Sequence, residues 1–516
     1  MHNLSPAPAW MLARLTSKPT NGYIATNTFA PARIIAGEKG GSGRNDALTR
    51  EAGRLRRIGW EADEMFGALT VFNQSRCDPP LADAEVRKIA NSVARYAPGE
   101  TDEPLPIEPP KPEPPTLHEA ALHGLAGEIV AAFDPLIESA PVAVLTSYLV
   151  AFGNAAGPSP HGYVSETRHG LNLFAVLCGA TSRSRKGTSW APVARVFEST
   201  DNDWLQNRKV SGIGSGEGII WAIRDPSEPK EIPKTGETII EDSGVNDKRL
   251  IVHEGEFASI LKVANREGSI LSEIIRKSWD GGTLQNVVKR SPVKATGSHV
   301  SILGHITVEE LQRELSETSQ VNGMANRFLW VFVHRSKLLP DAPRLDAVKV
   351  SDLANRTHKA LEVARQGGEI RRDAETAEVW RAVYPELSKD YPSMLGSLTA
   401  RAEAQVLRLS MIYALLDCSN VVRRDHLTAA LAFWQYCEDS VRFIFGDRTG
   451  DPVADRIRDA LRLGPMTETE IRDLFGRHQK AGRIQQALQA LRAAGVIECE
   501  MLETGGRPAR IWKAVK

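Results

Sequence analysis

The chain has 516 residues, long enough for roughly two to four domains. It carries 64 Lys and Arg against 64 Asp and Glu, so no global field draws it to a polyanion, and any nucleic-acid contact must come from a local patch. Five scattered cysteines (Cys77, Cys178, Cys418, Cys437 and Cys499) form no C-x-x-C pair and no zinc quartet, which argues against a disulfide scaffold and fits a reducing compartment. No basic-then-apolar leader opens the sequence, and the most apolar stretch, PVAVLTSYLVAFGNAAG, is interrupted and too short to span a bilayer. A cytoplasmic protein, bacterial or phage-encoded and without membrane contact, is expected.

Residues 1–96 contain a small helical module, clearest from 44 to 96. Leu48, Ala52 and Leu55 recur at helical spacing, as do Met65, Leu69 and Phe72, then Val86, Ile89 and Val93. Gly59 and the CDPPL segment punctuate the helices. Arg44, Arg50, Arg54, Arg56, Arg57, Arg76, Lys88 and Arg95 fall on the other face. That face is either simply solvated or a nucleic-acid contact, with Arg54 and Arg57 the candidates. Residues 97–117, APGETDEPLPIEPPKPEPPTL, repeat proline among acids and read as a semi-rigid polyproline spacer.

A long α/β region is expected over 118–447, opened by a capping box at Thr116 and Glu119. Its strand candidates are LFAVLC, KRLIVHE, SHVSILGHI and RFLWVFVH. From 400 to 447 it turns helical, and VLRLSMIYALL and LTAALAFWQYC are too apolar for surface helices.

The first strand runs into Gly179, a polar loop, and then Lys186-Gly187-Thr188-Ser189. A nucleoside triphosphate needs such an order. A buried strand positions backbone N–H groups and a lysine around the phosphates, a hydroxyl ligates magnesium, and the following helix directs its positive end at the anion. The usual spacing is G-x-x-x-x-G-K-[ST]. Here Ser184 or Arg185 stands in place of the second glycine, and Gly187 separates lysine from threonine. A basic turn between strand and helix is the plainer alternative.

Partners for such a loop follow in order. The next apolar strand ends in His253-Glu254-Gly255-Glu256, with histidine where an aspartate often sits, so Glu254 and Glu256 must divide the work of holding the magnesium shell and orienting water. SHVSILGHIT ends near His305, a polar tip able to sense a γ-phosphate, or a structural histidine. NGMANRFLWVFVHR presents Arg327 before the last strand and Arg335 beyond it. An arginine from a neighbouring subunit can stabilise transition-state charge, although Arg327 taken singly is as readily a salt-bridge residue. Between the second and third strands, the basic segment 265–290 carries Trp279 and Lys289. It suits a pore loop gripping single-stranded nucleic acid by charge and stacking, a lid, or an oligomer contact.

The last 65 residues change style. Thr467 and Glu470 form a capping box before Ile471, Leu474 and Phe475, and a second helix carries Ile484, Ala487, Leu488 and Leu491. VIECEM, the turn TGGRP and ARIWKAV then read as a hairpin. That order predicts a winged helix-turn-helix over 452–516, with Lys480, Arg483, Arg507 and Arg510 placed to meet phosphates, or else a winged fold used for protein contacts.

Several of these segments together resemble a known family. RKGTSW, HEGEFASIL, KVANREGSILSEIIRKSWDGG, GHITVEEL and NGMANRFLWVFVHRSKLLP look like the ATPase domain of phage- and plasmid-type primase–helicase proteins, across roughly residues 120–445. GRNDALTREAGRLRR and FNQSRCDPPLADAEVRKIANSVARY are similar to the helical domain that follows the catalytic part of archaeo-eukaryotic-type primase–polymerases, and LSPAPAWML resembles the tail of that catalytic part. The resemblance implies an α/β P-loop NTPase core, RecA-like or AAA+, between a small all-α N-terminal domain and a C-terminal winged helix-turn-helix. It implies ATP and Mg2+ as cofactors. The phosphate contacts would come from Gly179, Arg185, Lys186, Gly187, Thr188 and Ser189, with metal held by Thr188 (Ser189 the alternative) and Glu254. Glu254 and Glu256 would be the acidic pair, His305 the sensor and Arg327 the finger. RKGTS would be the family's own form of the loop.

The implied activity is an ATP-dependent DNA helicase or translocase replicating a phage, prophage or plasmid. It would act as a homo-oligomeric ring on single-stranded or forked DNA, beside a separate primase or polymerase. Alternatives are a non-translocating DNA-binding ATPase that loads or regulates a replication complex, and a DNA-binding regulator with a degenerate ATPase. Retained Glu254 and Arg327 argue against the last. The polymerase carboxylates of a primase have no place in this sequence, so priming is not expected.

Overall fold

A computed structural model describes residues 34–35, 44–57, 59–96, 113–181, 184–231, 238–287, 292–315, 323–389, 391, 393–446, 448–476, 478–502 and 509–515. The chain divides into two compact units, Met1–Lys111 and Pro112–Lys516. No helix among the described residues is long and apolar enough to cross a membrane.

In the first unit, helices α1 (Arg44–Arg57), α2 (Ala62–Arg76) and α3 (Asp83–Val93) bury Leu48, Ala52, Met65, Leu69, Val86, Ala90 and Val93 against one another. Glu61 and Glu64 form a capping box that starts α2. Buried Asn73 closes the proline turn after it, exchanging two 2.8 Å hydrogen bonds with the Leu81 backbone. The unit is not purely helical, because Ile34–Ile35 pairs in parallel with Cys77–Asp78. Arg56 departs from the solvated face expected of it. It is buried, and it donates to Tyr96 O (2.9 Å), Trp60 O (3.1 Å) and the Glu61 carboxylate (2.9 Å), clipping α1 to its neighbours.

The second unit is α/β, built on a mostly parallel sheet. Strands β1 (Phe174–Gly179), β2 (Lys209–Val210), β3 (Arg249–Glu254), β4 (Val293–Thr307) and β5 (Phe328–Val333) lie in the order β5-β1-β4-β3-β2. An antiparallel strand, Gly282–Asn286, hangs on the early part of β4. Every residue of β1 and β5 is buried, as continuous apolar runs covered on both faces should be. Their register sets Phe174 beside Phe328 at one end, and Gly179 beside Val333 and Thr307 at the other.

One face of the sheet packs on α6 (Phe257–Ala264) and α7 (Leu271–Asp280) through Phe257, Leu261, Ile274 and Trp279. The other carries α4 (Pro141–Ala156), against which α5 (Trp190–Thr200) packs. Pro141 presets the first turn of α4, and Gly157 ends it with φ 85°. Every residue of α4 after Pro141 is buried, and its polar Asn154 is satisfied by Leu250 O, His299 O and the Trp204 indole at 3.0, 3.1 and 2.8 Å. Helix α8 (Val308–Glu314) leaves β4 through a capping box of Thr307 and Glu310. The apolar segments near the end of this region form α9 (Ala402–Leu416) and α10 (Arg424–Phe445), both largely buried. The box expected at Thr116 and Glu119 does not form. His118 caps a single 3-10 turn through its own ring nitrogen, and the first α-helix begins at Gly124.

Residues 452–515 have a core of their own. Helix α11 (Pro452–Leu461), strand β6 (Met466–Thr467), helices α12 (Glu468–Asp473) and α13 (Ala481–Ala493), and strands β7 (Ile497–Leu502) and β8 (Ala509–Ala514) enclose Ile457, Ile471, Ile484, Leu488, Leu491, Ile497 and Trp512. The three strands are antiparallel in the order β6-β8-β7, and the Thr467–Glu470 capping box starts α12 as expected.

Candidate nucleotide-binding site

The carboxyl ends of parallel strands are where α/β sheets present ligand-binding loops. Here β1 delivers Gly179 to that edge. A Cβ on Gly179 would lie 2.8 Å from Ser184 Cβ, so only glycine lets the loop fold back this tightly. Buried Ser184 accepts from Thr181 N (3.1 Å) and returns its own N–H to Thr181 O (3.2 Å). Ser182 and Arg183 lie outside the described residues. Of the two residues standing where a second glycine would be expected, Arg185 is the one with a positive φ, 55°, a left-handed conformation that costs an ordinary side chain roughly 1–2 kcal/mol.

A 3-10 turn, Lys186–Ser189, then leads without a break into α5. The two hydroxyls are placed differently. Ser189 is buried, donating to Lys186 O at 2.7 Å and lying 3.3 Å from Ser147 Oγ, whereas Thr188 is exposed and donates to Arg185 O at 2.7 Å. The outward hydroxyl available to a ligand is therefore that of Thr188. The Lys186 side chain is partly buried, and desolvation lowers its pKa, with Glu310 and Cys178 opposing that shift. It donates to Thr181 O at 3.5 Å, a long contact.

Strand β3 brings Glu254 to the same edge, across β4. The Glu254 carboxylate is buried and accepts from Gly212 N (2.8 Å) and Glu256 N (3.4 Å); Glu256 itself is exposed where α6 begins. His305 on β4 and His253 on β3 meet edge to face with ring centroids 5.2 Å apart, and Trp190 at the head of α5 stacks on His253 at 4.7 Å. Desolvation pushes His253 down to about 4 and His305 down to about 3, so both rings are neutral at ordinary pH. The Nε2 atoms of both are buried and have no partner among the described residues. Buried polar atoms without partners are costly, and these two are enclosed by protein. Phosphate oxygens and water fit this donor set, and Thr188 with Glu254 or Glu256 supplies the oxygen donors that magnesium prefers.

The two arginines flanking β5 are separated by the whole strand. Arg327 precedes Phe328, at the edge opposite Gly179, and donates to Gly323 O (2.6 Å) and Asp280 (3.2 Å) beside the Trp279 ring. It does not join Lys186, Glu254 and His305. Arg335 lies just beyond Val333, at the loop's own edge, and pairs with Glu138 (3.3 Å), which also holds Arg185 (2.6 Å). Glu138 had no motif to announce it.

Trp279 departs from the pore-loop reading. It is buried, with Arg408, Arg401 and Arg327 ranged around its ring at 3.7, 5.1 and 5.6 Å, so no base can stack on it. Of the nucleic-acid candidates, Arg54 is exposed and pairs loosely with Glu51 (3.2 Å), and Lys480 is exposed at the start of α13. Arg483 is instead engaged internally, gripping Asp451 with two bonds of 2.7 and 2.8 Å. Arg510 lies 3.5 Å from Glu468. Lys289, Arg507 and the side chain of Arg57 lie outside the described residues.

A second polar cluster, His123, Asp417 and His426, sits away from this edge with ligand atoms within 4.8 Å of one another. His426 Nδ1 accepts from Arg423 N (3.0 Å), which leaves its proton on Nε2, directed at Asp417 (3.3 Å). That tautomer makes the cluster a hydrogen-bonded clasp rather than a metal centre.

A search of curated proteins finds no match to the chain. The Primase C terminal 1 (PriCT-1) family matches residues 32–99, the span that holds α1, α2 and α3. The chain thus carries a primase C-terminal domain, which points to a primase-related replication protein of phage or plasmid type.

Proposed function

We propose that residues 118–447 are a P-loop NTPase that hydrolyses ATP with Mg2+ and drives a DNA helicase or translocase in replication of a phage, prophage or plasmid. The observation that carries this reading is the shared edge of the sheet. Lys186 and the head of α5 follow β1, His305 lies two residues before the end of β4, and Glu254 ends β3, so a cation, a polar ring and an acid come from the same end of three neighbouring strands, which supports the reading. Lys186 and the turn after it would hold the phosphates, Thr188 would reach the metal, and Glu254 would orient the attacking water, with Glu256 its exposed neighbour. His305, held neutral, would offer its ring to the terminal phosphate. Arg327, at the far edge, would serve a neighbouring subunit's nucleotide, which requires a homo-oligomer such as a ring. The helix-strand-helix-helix-hairpin order of 452–515 supports a winged helix, a fold able to bind DNA.

One observation favours the second reading, a DNA-binding ATPase that loads or regulates a replication complex without translocating. Buried Trp279 removes the aromatic that a gripping pore loop would have used. Unwinding of a forked duplex by the purified full chain separates the two. ATP-dependent strand separation supports the helicase, while ATP hydrolysis indifferent to DNA, with the fork left intact, supports the loader.

A further inference from the structure

Glu138 is the unexpected member of the loop's surroundings. Its Oε2 accepts from Arg185 Nε at 2.6 Å and pairs with Arg335 at 3.3 Å, so two guanidinium groups share one carboxylate oxygen. Glu138 cannot follow either partner. Its Oε1 accepts from Leu339 N (3.0 Å), its backbone oxygen accepts from Ser336 N (3.1 Å), Ser139 bridges to Arg335 in the backbone, and Lys337 pairs with Asp134 at 2.7 Å. The Leu339 N–H first, and the two arginines after it, hold the Glu138 carboxyl below the usual carboxylate range, so it is ionised in this setting.

Arg185 lies on a loop in a conformation unfavourable to its side chain, and the Nε of Arg335 is buried with no partner among the described residues. Glu138 thus faces two cations, and Lys186 follows Arg185 directly in the chain, on the turn that leads into α5. Arg335 also stands at the right level, two residues past Val333, which pairs with Gly179 at the loop's root.

We propose that Arg335 is the arginine this subunit supplies to its own bound nucleoside triphosphate, and that Glu138 is a positioning residue that holds Arg335 and Arg185 until the terminal phosphate takes them. The proposal rests on the nucleotide-binding reading above. A terminal phosphate carries about two negative charges and three acceptor oxygens, so it competes for a planar guanidinium better than one shared carboxylate oxygen. Glu138 therefore keeps the empty site from collapsing and sets how readily nucleotide enters. Arg327, at the other edge and paired with Asp280, is left to a neighbour's nucleotide, so each site would draw one arginine from each side.

The test uses the full chain, a fluorescent ATP analogue for binding, and steady-state ATP hydrolysis, with thermal melting to confirm folding. In R335Q, analogue affinity should stay within a few-fold of wild type while kcat falls on the order of 10²-fold or more, and R335K should not restore it, because an ammonium cannot make the paired contacts. E138Q should lower KM several-fold with kcat unchanged or higher, since the arginines are released to the phosphate. Wild-type kcat in folded R335Q overturns the role of Arg335, and a raised KM in E138Q overturns that of Glu138. If wild type binds no analogue, the nucleotide reading itself fails and this inference falls with it; binding by wild type and its loss in K186A separates the two failures.

Discussion

Arg327 and Lys186 sit at opposite edges of one sheet. Strand β5 starts immediately after Arg327 and pairs along its whole length with β1, whose end launches the loop bearing Lys186. Five residue steps at roughly 3.3 Å separate the two edges by about 16 Å, more than an arginine side chain spans. Arg327 therefore cannot reach a phosphate held by Lys186 of its own chain.

If Arg327 acts on a neighbour's nucleotide, R327A and K186A should each lose hydrolysis alone, by about 10³-fold for R327A. Mixed, they should recover a fraction of wild-type activity, because a mixed assembly pairs an intact loop with an intact arginine. Failure of every mixture to regain activity, with both variants folded and associating, would count against the arrangement.

Burial keeps His253 and His305 neutral, with their pKa values pushed down to about 4 and about 3. Neither ring should change charge between pH 5 and 8, so neither contributes a limb to the pH profile of kcat there. An acidic limb near pH 6.5 that disappears in H305N would show that the ring titrates during turnover.

The His123–Asp417–His426 clasp predicts a pH window for stability. Its hydrogen bond to Asp417 raises the His123 pKa, so that contribution is full below the ordinary value of 6.5 and is lost as pH rises through the higher folded value. The pKa of Asp417 is lowered by those same histidines in spite of desolvation, so its contribution is full above 3.8 and disappears as pH falls through the folded value. Both act together between roughly pH 4 and 6.5. The fall in melting temperature from pH 6 to 8 should be shallower in H123Q than in wild type, and an unchanged slope would contradict this.

Arg408 is fully buried and donates to Asn172 O (2.6 Å), Asn172 Oδ1 (3.0 Å) and Trp279 O (2.8 Å). R408M would remove this donor from Asn172 O and Asn172 Oδ1, at about 1–3 kcal/mol for each buried polar group, while Trp279 O keeps the Asn172 amide at 3.2 Å. Chemical denaturation of the full chain should show a loss of about 3 kcal/mol or more, and a change under 1 kcal/mol would mean that the end of α7 is held by other contacts.

Two basic residues of the C-terminal module should behave differently. K480A removes an exposed charge at the start of α13 and should reduce the salt dependence of DNA binding by about one unit of slope. R483A breaks the Asp451 pair and should lower thermal stability while leaving that slope unchanged. Equal slopes for K480A and wild type would remove Lys480 from the DNA contact.

Strands β1 and β5 were legible because strands buried on both faces write themselves as unbroken apolar runs, and β3 and the later part of β4 because apolar residues still dominate their buried centres. The two-residue β2 and the polar strand Gly282–Asn286 carry no such signal. The spatial order of strands depends on crossovers that local periodicity does not encode. Lys186 to Ser189, Glu254 and His305 stood out in the sequence because each follows or closes an apolar run, and the structure places them at or near the carboxyl ends of β1, β3 and β4. Glu138 was not, since it and Arg335 are far apart in sequence and nothing local links them. Trp279 misled because a tryptophan among basic residues reads alike whether the cations pack on it or present it to a ligand. Arg56 and Arg483 looked like free surface charges for the same reason, until Glu61 and Asp451 were seen to hold them.

Equilibrium binding of a fluorescent ATP analogue with Mg2+, measured on wild type and K186A, tests the central claim most directly. Saturable binding by wild type, weakened at least about tenfold in a K186A variant of unchanged melting temperature, is the predicted result, equivalent to about 1.4 kcal/mol or more. No binding by wild type, or equal binding by both proteins, would contradict the assignment of this sheet edge to a nucleotide.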